Sequence, residues 1–247
     1  MYEKELKTAI SAVKRSEKTF RKYFGTKTNV RMKSGNYRDL VSYADTKIEN
    51  DIIKYLSRHF PSHGFHGEES GAVSGSSKFL WVLDPIDGTN NYLQGVPECG
   101  IALGLLKNGK PVVSVVSFPI LNKLYTASLT DKSKLNGKTI KVSKTKEVKH
   151  AFGSLAWGRN IPWASKTFPM LLPKVLKLRV PACRMISMCF VAEGVYDFHI
   201  DTEMGLWEWD TGSLIIRRAG GKAILKNKKI GISANPVLVK KLEKIIA

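Results

Sequence analysis

Two carboxylates set three residues apart, at the end of an apolar run, are the first chemical feature of this chain. The run Phe79-Leu80-Trp81-Val82-Leu83 reads as a buried strand. It leads into Asp84-Pro85-Ile86-Asp87-Gly88-Thr89-Asn90. Pro85 fixes its own φ and removes a ladder donor, so the strand is expected to end at Asp84 and the chain to turn. Gly88 permits a tight backbone, and Thr89-Asn90 can open a short helix. Two carboxylates, a hydroxyl and backbone N–H groups then surround one point. Carboxylate oxygens are hard ligands suited to Mg²⁺, and N–H groups at a helix start suit phosphate. Metal and phosphate at one strand end is a phosphatase arrangement.

Three other acidic positions qualify for the same site, and each has a plainer explanation beside it. Glu68-Glu69-Ser70 follows a short strand expected over 63–67. Adjacent glutamates are usually solvated surface, yet these follow a strand as Asp84 does. Asp45 stands where the N-cap of a helix running to His59 would stand, and a cap alone would account for it. Asp210, in Trp209-Asp210-Thr211-Gly212-Ser213, is placed as the N-cap of a helix over about 209–219, broken by Gly220-Gly221.

The elements that must position these groups can be read from periodicity. Leu6, Ile10, Val13 and Phe20 predict an amphipathic helix over 3–24, with Gly25 as its stop. Ile48, Ile52 and Leu56 share one face of the helix that opens near Asp45. Residues 71–77 are small and polar and read as a loop. Two apolar runs, 101–106 and 111–119, flank Asn108-Gly109, a strong hairpin signal. Further strands are expected over 124–129 and 139–142, around a turn at Asn136-Gly137. The first half thus reads as helices followed by a mainly antiparallel sheet. From about residue 145 strands and helices alternate: strand 152–157, helix 166–178 weakened by Pro169 and Pro173, helix 184–194, strand 195–200, two short strands near 222–225 and 230–233, and a last helix after Pro236. The expected division is 1–144, an α+β half carrying the metal-binding motifs, and 145–247, an α/β half carrying Asp210 and the substrate side.

Bulk properties narrow the class. The 247 residues, 43% of them hydrophobic and 25% charged, suit a soluble globular protein. No apolar run reaches transmembrane length, and the N-terminus lacks a signal-peptide pattern, so a cytoplasmic protein is expected. Cys99, Cys183 and Cys189 lack metal-site spacing and read as buried thiols in a reducing compartment. The net charge of +19 admits nucleic-acid binding. Its lysines are scattered, however, and no nucleic-acid motif accompanies them, so a generally basic surface that attracts anionic substrates is the preferred reading.

Taken together, Gly67-Glu68-Glu69-Ser70, Asp84-Pro85-Ile86-Asp87-Gly88-Thr89 and Trp209-Asp210 with Ala219-Gly220-Gly221 downstream resemble the inositol monophosphatase family of Mg²⁺-dependent, lithium-sensitive phosphatases. The resemblance extends over nearly the whole chain. It implies a layered αβαβα sandwich, of the kind shared with fructose-1,6-bisphosphatases, with the site between the halves, two or three Mg²⁺ ions and a homodimer. It implies that Glu68, Asp84 and the Ile86 carbonyl hold a first metal, and that Asp84, Asp87 and Asp210 hold a second. Glu68 would share a weaker third ion. Thr89, hydrogen-bonded to Asp45, would join Glu68 in orienting the attacking water. Gly88, Thr89 and Asn90 would offer backbone N–H groups to the phosphate.

The chain also departs from the family. Pro181-Ala182-Cys183-Arg184 replaces the Gly-Thr-Ala-Ala run usual at that helix start. Arg184 then either reaches a second, distal phosphate of the substrate or points to solvent. A substrate-facing glutamate is expected seven residues before the second-metal aspartate. Glu203 fits that spacing from Asp210, and Asp201 competes with it. The expected activity is hydrolysis of small polyol or sugar phosphates, with inositol 1-phosphate first. Fructose 1,6-bisphosphate and 3′-phosphoadenosine 5′-phosphate are the enzyme rivals, and a nucleic-acid-associated protein is the rival of another class.

Overall fold

The strand Gly100–Lys107 explains why the chain folds in layers. Ile101, Leu103 and Leu105 pack into one hydrophobic core, while Ala102 between them packs into another. A strand buried on both faces reads as a continuous apolar run, and it needs helices above and below. The computed structural model describes residues 1–33, 36–158, 160–202, 205–227 and 229–246, with side chains described except at 32, 33, 36–40, 206 and 207.

In chain order the elements of the first half are α1 (Glu3–Tyr23), β1 (Arg31–Lys33), β2 (Asn36–Val41), α2 (Tyr43–His59), β3 (Gly64–Gly67), β4 (Gly71–Val73), β5 (Phe79–Asp87), α3 (Thr89–Gln94), β6 (Gly100–Lys107), β7 (Lys110–Phe118), β8 (Lys123–Ser128), β9 (Asp131–Leu135) and β10 (Lys138–Thr139). Those of the second are β11 (Phe152–Leu155), α4 (Ile161–Leu171), β12 (Lys177–Arg179), α5 (Arg184–Glu193), β13 (Phe198–Thr202), α6 (Leu206–Arg218), β14 (Lys222–Lys226), β15 (Ile230–Ala234) and α7 (Pro236–Ile245). An eight-stranded sheet runs β10-β9-β8-β7-β6-β5-β3-β4, and a five-stranded sheet runs β12-β11-β13-β15-β14.

The layers follow from what each core joins. The α1 and α2 faces carrying Val13, Phe20, Ile48 and Ile52 cover one side of the large sheet, against Trp81, Leu83, Val113 and Val115. Its other side, with Ala102, Val116 and Phe118, packs on Ile186 and Met188 of α5 and Leu214 and Ile215 of α6. Beyond these helices the small sheet packs Phe198, Ile200 and Ile232 against Leu238 and Leu242 of α7 and Leu171 of α4. The order helix, sheet, helix, sheet, helix is the expected mixed α/β sandwich. Because α5 and α6 bury against the large sheet, residues 145–247 share a core with residues 1–144.

Close approach of α6 to the large sheet depends on Gly104 of β6. A Cβ there would lie 2.6 Å from the Thr211 hydroxyl. No L side chain fits that gap, so glycine is what lets α6 lie across β6 and bring its first turn to the end of β5. The local details differ from the periodicity in a few places. Residues 71–73, expected as loop, form β4, an edge strand paired with β3. Strand β9 was not expected, and β10 stops at Thr139. Helix α4 begins five residues before 166, because Asn160 caps it by accepting the Trp163 N–H at 3.2 Å.

Candidate active site

Strand β5 does not stop at Asp84. It continues to Asp87, with a break in register: Asp84 pairs with Ala102, but Asp87 pairs with Gly100. Three steps on β5 match two on β6, so one residue is extra, and this is a β-bulge. Pro85 tolerates it because a bulge position needs no ladder donor. The bulge has a chemical consequence. Residues three apart on a regular strand face opposite sides of the sheet. The extra residue cancels that inversion and lets Asp84 and Asp87 converge. The Ile86 N–H donates to Asp84 Oδ1 at 3.0 Å and fixes the bend. Gly88, at φ 82°, then turns the chain into α3.

The third carboxylate at this point belongs to Glu208, not to Asp210. Oxygens of Asp84, Asp87 and Glu208 lie within 4.8 Å of one another, and all three residues are buried. Glu68, half-buried after β3, adds its negative charge beside Asp84. Helix α6 starts at Leu206, three residues before Trp209, with Gly205 as its N-cap and Glu208 at N3 reaching back to it. Glu208 Oε2 accepts the Gly205 N–H at 2.8 Å. Asp210 is therefore no N-cap. Two residues on an α-helix are about 200° apart around the axis, so Asp210 cannot share the cluster that Glu208 faces. Burial raises its pKa to about 6, opposed by Arg217. Counted from Glu208, the residue seven positions back is Asp201. Glu203 lies outside the described residues.

Burial and like charges shape the electrostatics. Burial first, then Glu68, Asp87 and Glu208, push the Asp84 carboxyl well above the usual range. Burial also raises Glu208 to about 7, opposed by Arg184. Asp87 is raised by burial, opposed by the donors it receives. Those donors come from the start of α5: the Met185 N–H at 2.6 Å and the Cys183 thiol at 2.8 Å to Oδ2, and the Arg184 N–H at 3.3 Å to Oδ1. Asp87 thus caps a helix almost a hundred residues away in sequence. Hard oxygen donors that repel one another in a buried setting fit a divalent cation, which would let them ionise.

Arg184 lines the cleft and does not point to solvent. Its side chain is 20% exposed, with Nε 2.8 Å from Asp201 and Nη1 2.9 Å from Glu208. Asp201, expected to face substrate, is fully buried beneath it and lies 3.5 Å from His199. His199 in turn meets the Ser154 hydroxyl at 2.9 Å.

The remaining expected residues are placed as follows. The Thr89 hydroxyl donates its one proton to the Ile86 carbonyl at 3.0 Å, in place of the expected bond to Asp45. Asp45 accepts the Ser42 N–H at 2.7 Å and the Ser42 hydroxyl at 2.6 Å, as the N3 partner of a capping box rather than as an N-cap. Glu68, Asp84, Ile86, Asp87, Gly88, Thr89, Asn90, Arg184 and Glu208 all line one cleft of about 590 Å³, walled opposite by Leu155, Ala156, Trp157 and Val180. A larger groove of about 900 Å³ between α1 and β8–β9 contains none of them.

Sequence reasoning missed Glu49. Buried in α2, it accepts the Glu69 and Ser70 N–H groups at 3.1 and 2.7 Å and so holds the turn that carries Glu68. Its place on the buried face with Ile48 and Ile52 was the available signal. Cys183 was also missed as a donor to Asp87, since a lone cysteine shows no such role in sequence.

Known proteins match most of the chain. The model of the inositol monophosphatase family matches residues 1–245. A fructose-1,6-bisphosphatase/inositol-1-monophosphatase of Aquifex aeolicus is 32% identical over 236 residues, covering 93% of this chain and 89% of the relative. Inositol monophosphatase 1 of Solanum lycopersicum is 33% identical over 229 residues, covering 89% and 83%. Among solved structures, the extragenic suppressor protein suhB of Bartonella henselae superposes with a TM-score of 0.92 at 25% identity, covering 97% of each chain. The chain belongs to the inositol monophosphatase family.

Proposed function

We propose that this protein is a Mg²⁺-dependent phosphomonoesterase acting on small polyol or sugar phosphates, with inositol 1-phosphate as the leading substrate. The convergence of Asp84, Asp87 and Glu208 beside Glu68, from three separate segments, carries this reading. Glu68, Asp84 and the Ile86 carbonyl would hold one ion, and Asp84, Asp87 and Glu208 a second. When bound, such ions offset the charge of the phosphate and of the leaving oxygen. The chain's own groups bind and orient. The backbone N–H groups of Gly88, Thr89 and Asn90 edge the cleft where phosphate would sit, and Glu68 and Thr89 would orient the attacking water. Trp157, Leu155 and Val180 form an apolar wall that limits water around the leaving group.

A monophosphate is favoured over a bisphosphate. Among the described residues lining the cleft, Arg184 is the one basic side chain; it pairs as an ion with Asp201 and donates to Glu208 and the Thr202 carbonyl. In keeping with the family, we also propose lithium sensitivity and a homodimer. Leu172, Leu176 and Val180, each about half exposed beside the edge strand β12, support an apolar contact there. The buried, unlinked cysteines suit a reducing, cytoplasmic setting. Phosphate release from inositol 1-phosphate, fructose 1,6-bisphosphate and 3′-phosphoadenosine 5′-phosphate, with and without Mg²⁺, tests the reading. Equal inactivity on all three would overturn it.

A further inference from the structure

The net charge of +19 is not explained by the cleft, where Arg184 is the one basic side chain among the described residues. The larger groove between α1 and β8–β9, about 900 Å³, gathers part of it. Lys7, Lys14, Arg21, Lys123, Lys132 and Lys134 all line this groove. Their arrangement follows from the elements that carry them. Lys7, Lys14 and Arg21 recur every seven residues, close to two helical turns, so they form one row along α1 with about 10 Å between neighbours. Lys132 and Lys134 are two apart on β9 and so share one face of the strand. Cations therefore stand along both walls. Contacts between the walls mark the two ends: the Thr130 hydroxyl donates to the Met1 carbonyl at 2.9 Å, and Arg21 Nη2 donates to Asn122 Oδ1 at 3.0 Å.

Three carboxylates line the groove too and offset half of this charge. Glu3 pairs with Lys7 and Asp131 with Lys134, each at 2.6 Å and near the surface, where such pairs hold weakly. Glu17 accepts the Ser117 hydroxyl at 2.7 Å. Lys123 is held by Glu193 of α5 at 2.8 Å. Lys14, Arg21 and Lys132 are exposed and have no carboxylate partner among the described residues.

Shape and lining restrict the anion. Over the roughly 27 Å of α1 from Glu3 to Arg21, the volume corresponds to a trough on the order of 6 Å across, too narrow for a double helix whose major groove alone is about 12 Å wide. No aromatic side chain is among the described residues lining it, so the bases of a single strand would find nothing to stack on. Strand β8 is hydrogen-bonded to β7 on one side and β9 on the other. An acidic peptide would therefore find no open strand edge to pair with. A chain of phosphates meets none of these obstacles. It is narrow, carries charge on every unit, and needs only cationic donors along its path.

We propose that the groove between α1 and β8–β9 binds linear polyphosphate, apart from the cleft and on the opposite face of the large sheet from α5 and α6. The test is titration of the full chain into end-labelled linear polyphosphate at one fixed ionic strength, read by fluorescence anisotropy, since screening alters every charged contact. Lys14→Gln/Arg21→Gln/Lys132→Gln should weaken binding by at least about tenfold, through loss of three charge-assisted contacts. Lys166→Gln/Lys240→Gln/Lys244→Gln removes the same charge from exposed positions on α4 and α7 and should weaken it by less than about twofold. Oligothymidylate and polyglutamate of equal charge should each bind at least about tenfold more weakly than polyphosphate. Equal losses in the two triple variants would mean that the whole basic surface attracts the polymer and would overturn the proposal. Oligothymidylate or polyglutamate binding as tightly as polyphosphate, or no binding of polyphosphate to the wild-type chain, would overturn it as well.

Discussion

Asp87 and Met185 are joined by a 2.6 Å hydrogen bond that makes a residue of β5 the cap of α5. One carboxylate thereby ties the acidic end of the large sheet to the helix that carries Arg184. Asp87→Asn replaces an acceptor oxygen with a donor that faces other donors. The expected result is a loss of roughly 1 kcal/mol of stability together with about a hundredfold or greater loss of turnover. Thermal melting and phosphate release measure the two effects separately. Unchanged turnover at low Mg²⁺ would remove Asp87 from the metal site.

Glu208 and Asp210 give a direct contrast, because only one of them faces the cluster. Glu208→Gln should lower turnover by about a hundredfold, as loss of a charge-stabilising group does. Asp210→Asn should change it less than about threefold, since Asp210 lies outside the cluster. The reverse pattern, read from steady-state kinetics, would restore the aspartate to the site.

Glu49 supports the turn that carries Glu68, and its two oxygens each accept a different backbone N–H. Gln keeps the shape but turns an NH₂ toward one of those N–H groups. Glu49→Gln should raise the Mg²⁺ concentration for half-activation by about tenfold or more, through loss of a charge-assisted bond. A purely architectural Glu49 would lower the melting temperature and leave the Mg²⁺ requirement unchanged.

The pH dependence of metal stabilisation has a definite sign. Burial raises Glu208 from an ordinary 4.5 to about 7, and raises Asp84 further above its ordinary value. A folded-state pKa above the unfolded one means the folded chain binds more protons. Stability without metal therefore falls as pH rises through that window. A cation favours the ionised carboxylates and competes with protons. The rise in melting temperature on adding Mg²⁺ should be larger at about pH 8 than at about pH 5.5. A larger rise at the lower pH would show that the ion binds elsewhere.

Much of this was legible in the sequence, for reasons that residues show. Asn108-Gly109 predicted the β6–β7 hairpin, and both residues have positive φ, as that turn requires. Asp84, Ile86, Asp87 and Gly88 were found together because they follow the plain apolar run of β5, and Glu68 joined them through the family resemblance. The errors arose where tertiary contacts decide. Asp210 looked like a cap, but Gly205 starts the helix earlier, and three residues change which face a carboxylate occupies. Pro85 looked like a strand end, but a bulge can absorb it without ending the ladder. Arg184 gave no sign of its partners, since Asp201 and Glu208 reach it from β13 and α6 only after α5 packs against α6.

The most direct measurement of the central claim is phosphate release from inositol 1-phosphate by the wild-type chain and Asp84→Asn, each with Mg²⁺ and with chelator. The account predicts turnover by the wild type that chelator abolishes and excess Mg²⁺ restores, and a loss of about a hundredfold or more in Asp84→Asn. Turnover that survives chelator, or an Asp84→Asn chain as active as the wild type, would contradict it.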